Sequence, residues 1–168
     1  MKRKVKIAYY LSHPIQYFSP LLVKLADKAD LKVYYFSDAS VRGTIDKGFG
    51  QAVKWDIPLL EGYDYRFLKN YARSKSMDNR FFDAINPAVI KTIRKDKAEI
   101  IIVNGWSYFS TLLAIVTGKL YGKKIWLRAE SPRQNPPNNI DDSIYLLMTR
   151  AFSPQCHIST FPWGFAPG

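Results

Sequence analysis

Three places in this sequence set side chains that could handle a polar ligand just beyond a run that reads as a β-strand. His13, with Ser12 beside it, follows VKIAYYL; Asn104, Gly105 and Trp106 follow EIIIV; Arg128 and Glu130 follow KIWL. A neutral imidazole offers one donor and one acceptor and titrates close to neutrality. His13 is therefore the candidate catalytic residue, suited to positioning or polarising a reacting hydroxyl. Asn104 and Gly105 serve either as turn chemistry or as a hydrogen-bonding ligand contact. Arg128 and Glu130 are two residues apart, hence on one side of an extended chain, where they pair with each other or orient a ligand at a crevice rim. Trp106 is a packing residue or, at a cleft mouth, a flat platform for a sugar ring. Ser12, Asn104, Gly105, Trp106, Arg128 and Glu130 are the candidate substrate-binding residues. No metal site is expected: Cys156 is the single cysteine, and only His13 and His157 could join it.

The elements that would carry these residues alternate. Val5 to Leu25 reads as strand, turn and helix: Val5, Ile7, Tyr9 and Leu11 alternate, and Phe18, Leu21, Leu22, Leu25 and Ala26 recur at helical spacing. Pro20 places the continuous helix after Ser19 as N-cap, unless Ile15 to Phe18 already form a first turn; either way, free backbone N–H groups would face the crevice. Leu31 to Ser37 and Tyr63 to Lys69 read as further strands. Between them the glycine-bearing loop Arg42 to Gly50 leads to a strand-like Val53 to Ile57, and without a Gly-Lys-Ser/Thr it is no phosphate loop. Asn70 to Arg80 is polar and expected to be mobile. Asn86 and Pro87 open a helix as N-cap and N1, Glu99 to Val103 is a buried strand, and Ser107 caps a helix that Gly122 closes. Lys124 to Leu127 is the next strand, followed by a Pro- and Asn-rich loop from Ser131 to Asn139 and a helix from Asp141 to Phe152.

Strands alternating with helices predict an α/β fold, a doubly wound parallel sheet of the Rossmann-like kind with right-handed crossovers. Residues 1–152 form one domain, with the central strand at 4–11 between strands at 31–37 and 99–103. Residues 153–168, thick with Pro and Gly and lacking either period, read as an irregular tail such as truncation leaves. In such a sheet the three candidate groups converge, because ligands bind outside the carboxyl ends of the strands.

The 168 residues suffice for a core burying roughly 70% of the unfolded surface. The longest mostly apolar segment, Tyr108 to Leu120, is too short to span a bilayer. The basic start does not lead into a signal peptide, which makes the cytoplasm the expected location. Net charge is 25 minus 14, or +11. Such a charge favours an anionic partner, among them the inner face of a membrane as a peripheral contact. Nucleic acid is not expected without a recognition module, and no Gly-x-Gly-x-x-Gly or Gly-x-Ser-x-Gly sequence supports dinucleotide or hydrolase chemistry.

On the residues KIAYYLSHPIQYFSPLL and EIIIVNGWSYFSTLLAIVTGKLYGKKIWLRAES, the chain resembles the N-terminal half of GT-B glycosyltransferases of family 4, the group 1 type. The resemblance implies an acceptor-binding domain of a retaining, metal-independent enzyme. Its donor, a nucleotide-sugar, is a substrate rather than a cofactor and would be held by a second Rossmann-like domain through a Glu-x7-Glu motif that these residues lack. Its acceptor would be a sugar or a lipid-linked sugar. By position His13 falls in the acceptor-side loop. Asn104 and Trp106 stand where many relatives have a histidine-containing turn, a departure that weakens any catalytic role for Asn104. The chain is then expected to be inactive without a donor domain. Two alternatives remain: a basic membrane- or partner-docking module without transfer chemistry, and a fragment of a GT-B-like sugar-nucleotide epimerase.

Overall fold

The computed structural model describes residues 3–38, 41, 58–73, 81–105 and 107–128, and the backbone of 156–159. In chain order these form β1 Lys6–Leu11, α1 Ser19–Lys28, β2 Asp30–Tyr35, β3 Asp64–Phe67, a short 3-10 turn Phe81–Asp83, α2 Ala88–Lys95, β4 Ile100–Asn104, α3 Phe109–Leu120, β5 Lys124–Arg128 and β6 Cys156–Ser159. The six strands make one sheet in the order β3-β2-β1-β4-β5-β6, and every neighbouring pair is parallel. The chain winds outward from β1 through β2 to β3, then crosses back to β4 and winds the other way. That reversal creates a switch point between β1 and β4, the expected site of a ligand crevice.

Alternate residues of the central strands feed two cores, one on each face. Ala8 and Tyr10 pack with Tyr34, Ile101, Val103 and Ile125 against Val89 and Ile93 of α2 and Ala114 and Ile115 of α3. Ile7, Tyr9 and Leu11 pack with Leu31, Val33 and Ile102 against Phe18 and Leu22, at and in α1. Burial on both faces explains why β1 is almost entirely apolar rather than alternating with charge. Two phenols anchor α2 to the sheet: Tyr10 hydrogen-bonds Thr92 at 3.0 Å, and Tyr34 donates to Asp96. Close approach of α3 depends on Gly118, where an added Cβ would stand 2.9 Å from Ile101 Cδ1. The helix ends at Gly122 (φ 64°) with Gly122 N–H bonded to Lys119 O and Lys123 N–H to Gly118 O. That pair of bonds is a Schellman closure, which the glycine permits.

The central strand between β2 and β4 and the strands at 64–67 and 124–128 agree with the sequence reading. The helix caps differ from it, while at α1 the alternative that the sequence left open, a first turn over Ile15 to Phe18, is the one found. Ile15 to Phe18 form a turn, with Phe18 N–H donating to Ile15 O, and Phe18 occupies the N-cap of α1. The Ser19 hydroxyl does not cap; it is buried and donates to Leu59 O at 3.0 Å. Likewise α3 has Tyr108, not Ser107, at its N-cap, and neither α2 nor α3 has a side-chain cap. At Ser19 a tertiary acceptor outweighed a local capping bond. The expected irregular tail is corrected at Cys156–Ser159, which pairs with β5 as β6. Four residues are too few to display a strand period. The expected mobility of the stretch beginning at Asn70 does not hold at that residue, whose side chain joins Asp83 O, Ala72 N–H and Ile85 N–H. The glycine loop, the strand-like Val53 to Ile57 and the helix from Asp141 to Phe152 lie outside the described residues.

Candidate functional site at the carboxyl edge

The site is assembled from the ends of β1, β4 and β5. In the β1–β4 register Tyr10 lies opposite Val103, and in the β4–β5 register Asn104 lies opposite Arg128. His13 follows three residues beyond the first pair and Asn104 one residue beyond it, which brings both to the same edge of the sheet. Past Leu11 the β1 strand holds its course: Phe36 N–H donates to Leu11 O and Ser37 N–H to Ser12 O, at 2.9 and 2.8 Å. Ser12 thus spends its carbonyl on β2 while its side chain and that of His13 stay half-buried at the crevice. Pro14 and Phe18 are buried and pull the following turn onto the sheet.

At β4 the chain turns through Gly105, whose φ of 71° is a left-handed conformation that suits glycine. Gly105 N–H still donates to Arg128 O at 2.8 Å, so β4 and β5 stay joined up to the turn. Among the described residues, its chain neighbours apart, nothing lies within 4 Å of where a Gly105 Cβ would be. Asn104 is half-buried, and among the described residues its buried Oδ1 has no hydrogen-bond partner. A buried amide oxygen left unmatched costs free energy, which a ligand hydroxyl donating to it would recover.

Arg128 closes the edge. Its guanidinium carbon lies 4.7 Å from the centre of the Phe18 ring. That contact ties the end of β5 to the turn after β1 across β4. A guanidinium stacks well on an aromatic face, and the contact fixes the plane of the Arg128 head group. The sequence expectation paired Arg128 with Glu130; Glu130 and Trp106 lie outside the described residues. Phe18 was read only as a core residue, and nothing in a single sequence links positions so far apart.

The backbone N–H groups expected to face the crevice are partly used up. Phe18 N–H and Leu22 N–H are bonded within the turn and helix, and Pro20 brings none. In α3, Ser110 donates to Ala84 O, and Thr111 and Leu112 donate to Tyr108 O.

The outer wall of the edge is held by Asn86. Read from sequence as an N-cap, it is instead fully buried, and its Nδ2 lies 3.0 to 3.1 Å from the carbonyls of Phe36, Leu68 and Lys69. Its N–H donates to Ser110 Oγ at 2.7 Å, and its Oδ1 lies 2.8 Å from that hydroxyl. One amide thereby links the segments leaving β2 and β3 with the starts of α2 and α3. On the opposite face Tyr35, Tyr63 and Leu59 form a hydrogen-bonded chain that fixes the loop before β3. Burial, then the bond that it donates to Tyr63, pushes the Tyr35 phenol far above its ordinary range; burial also raises Tyr63.

The edge therefore carries an imidazole, an amide and a guanidinium at or just past the ends of neighbouring parallel strands, a set suited to a polyhydroxylated or anionic ligand. Among the described residues no group of three His, Cys, Asp or Glu side chains could hold a metal ion, and no helix is long and apolar enough to cross a membrane. In comparisons with known proteins, the chain matches no protein-family model, no curated protein and no solved structure.

Proposed function

We propose that this chain is the acceptor-binding, N-terminal domain of a retaining glycosyltransferase of the GT-B kind, working with a second domain that holds the nucleotide-sugar. The observation that supports the reading is the grouping of His13, Asn104 and Arg128 at the carboxyl ends of three adjacent parallel strands beside the switch point. In this reading His13 positions and polarises the acceptor hydroxyl, and the Asn104 amide fixes a neighbouring hydroxyl. Arg128 lends positive charge to the cleft, while Ser12, Gly105, Trp106 and Glu130 complete the acceptor surface. The second domain would supply the ligands of the diphosphate, and closure of the two halves would exclude water and stabilise the leaving group.

The test compares residues 1–168 alone with a form joined to a donor-binding domain, using a nucleotide-sugar and a sugar acceptor. Transfer is expected only from the joined form. Robust transfer by the 168 residues alone contradicts the half-enzyme reading. Isomerisation of the nucleotide-sugar without acceptor would favour an epimerase instead.

A further inference from the structure

We propose that the aromatic rim built by Phe81, Phe82, Phe109 and Tyr71, with Lys69 and Arg73 beside it, is a seat for an anionic lipid bilayer. Phe82 is 65% exposed and Tyr71 60% exposed. An isolated exposed apolar side chain is ordinary, but a packed exposed cluster marks an interaction surface. The rings of Phe81, Phe82 and Phe109 pack on one another with centroids 5.0 to 6.4 Å apart. Tyr71 belongs to the same unit: Tyr71 N–H donates to Ile85 O at 2.9 Å, and Asn70 bonds Asp83 O and Ile85 N–H. The rim is thus held in place by the backbone before any partner arrives.

Charge selects the occupant. Lys69 Nζ lies 4.8 Å from the centre of the Tyr71 ring, and both Lys69 and Arg73 are exposed. Asp83, the acid on the two described stretches of this unit, is buried. The whole chain carries +11. Aromatic rings flanked by cations match the boundary between acyl chains and anionic headgroups. A sugar would find no hydrogen-bonding edge on the phenylalanine rings. The rim follows the carboxyl end of β3 and adjoins the start of α3, where Ser110 N–H meets Ala84 O. It therefore shares the carboxyl edge with the crevice, and docking would bring the crevice close to the membrane. The inference goes beyond the transferase reading, because vesicle binding requires no transfer.

The experiment is co-sedimentation of the 168-residue protein with vesicles of phosphatidylcholine alone and of phosphatidylcholine mixed with phosphatidylglycerol. Binding is expected to the mixed vesicles and to fall as salt rises. Phe82→Ser should weaken it roughly tenfold, and Lys69→Ala and Arg73→Ala about fivefold each. Leu120→Ser removes an apolar side chain that is 80% exposed at the far end of α3, and it should change nothing. Phe82→Trp keeps an aromatic ring and should show a blue-shifted emission that brominated lipid quenches. Failure to bind mixed vesicles, equal binding by Phe82→Ser, or an unquenched Phe82→Trp overturns the proposal. Self-association abolished by Phe82→Ser, without vesicle binding, would assign the rim to a second copy of the chain and equally overturn it.

Discussion

Arg128 holds its guanidinium carbon 4.7 Å from the centre of the Phe18 ring, so the last residue of β5 is seated on the turn that leaves β1. Phe18 is only 1% exposed, which makes the ring a fixed support rather than a surface partner. Replacing Phe18 with Leu keeps an apolar plug and removes the ring face. We expect an Arg128–Phe18 coupling of about 0.5–2 kcal/mol in a double-mutant cycle of Phe18→Leu and Arg128→Met. Strict additivity in urea denaturation would show that the two side chains are only neighbours.

Asn86→Ala should be among the most destabilising single substitutions in the chain. It removes the donor shared by three carbonyls and the acceptor facing Ser110 at a fully buried position. Each buried polar group left unmatched costs about 1–3 kcal/mol, so a total loss of about 3 kcal/mol is expected from chemical denaturation. Asn86→Asp should be no better, since a carboxylate would face carbonyl oxygens. A loss below about 0.5 kcal/mol, the size of an ordinary surface change, would contradict the role assigned to this amide.

Alkaline stability should be limited by buried tyrosines. Burial raises Tyr10, Tyr34, Tyr35 and Tyr63, with the bond to Asp96 adding to the rise at Tyr34 and the bond to Tyr63 to that at Tyr35. For a folded-state pKa raised above the unfolded value, the unfolded chain binds fewer protons once pH passes the ordinary phenol range near 10. Stability is therefore fully present below that pH and falls as pH climbs above it. Tyrosine absorbance should report a class of phenols that ionises only together with loss of the circular dichroism signal. All 11 tyrosines titrating in one step with the fold intact would refute this.

The parallel sheet was readable because its signal is local. The run KIAYYL is apolar on both faces, and EIIIV and KIWL repeat the pattern between helical stretches. The strand-end rule then places His13, Asn104 and Arg128 on one edge without any side-chain detail. The parts that were not readable depend on partners far along the chain. Ser19 and Asn86 carry good capping side chains, yet their acceptors are Leu59 O and the carbonyls of Phe36, Leu68 and Lys69. The Phe18 support for Arg128 and the Phe81–Phe82–Phe109 cluster arise in the same way, from topology rather than spacing. The short β6 strand, CHIS, has too few residues to separate it from the prolines around it.

In the proposed function His13 acts on the ligand rather than supporting the turn. That role is tested most directly by measuring transfer rate and thermal midpoint together, for His13→Ala and the exposed control Lys95→Ala, in a form that carries a donor-binding domain. His13→Ala is expected to lower turnover roughly 10²-fold or more, the size of a lost acid-base or polarising contact, with a midpoint close to that of Lys95→Ala. A midpoint lowered to the extent of a lost hydrogen bond, about 1 kcal/mol, with turnover per folded molecule unchanged, would contradict it.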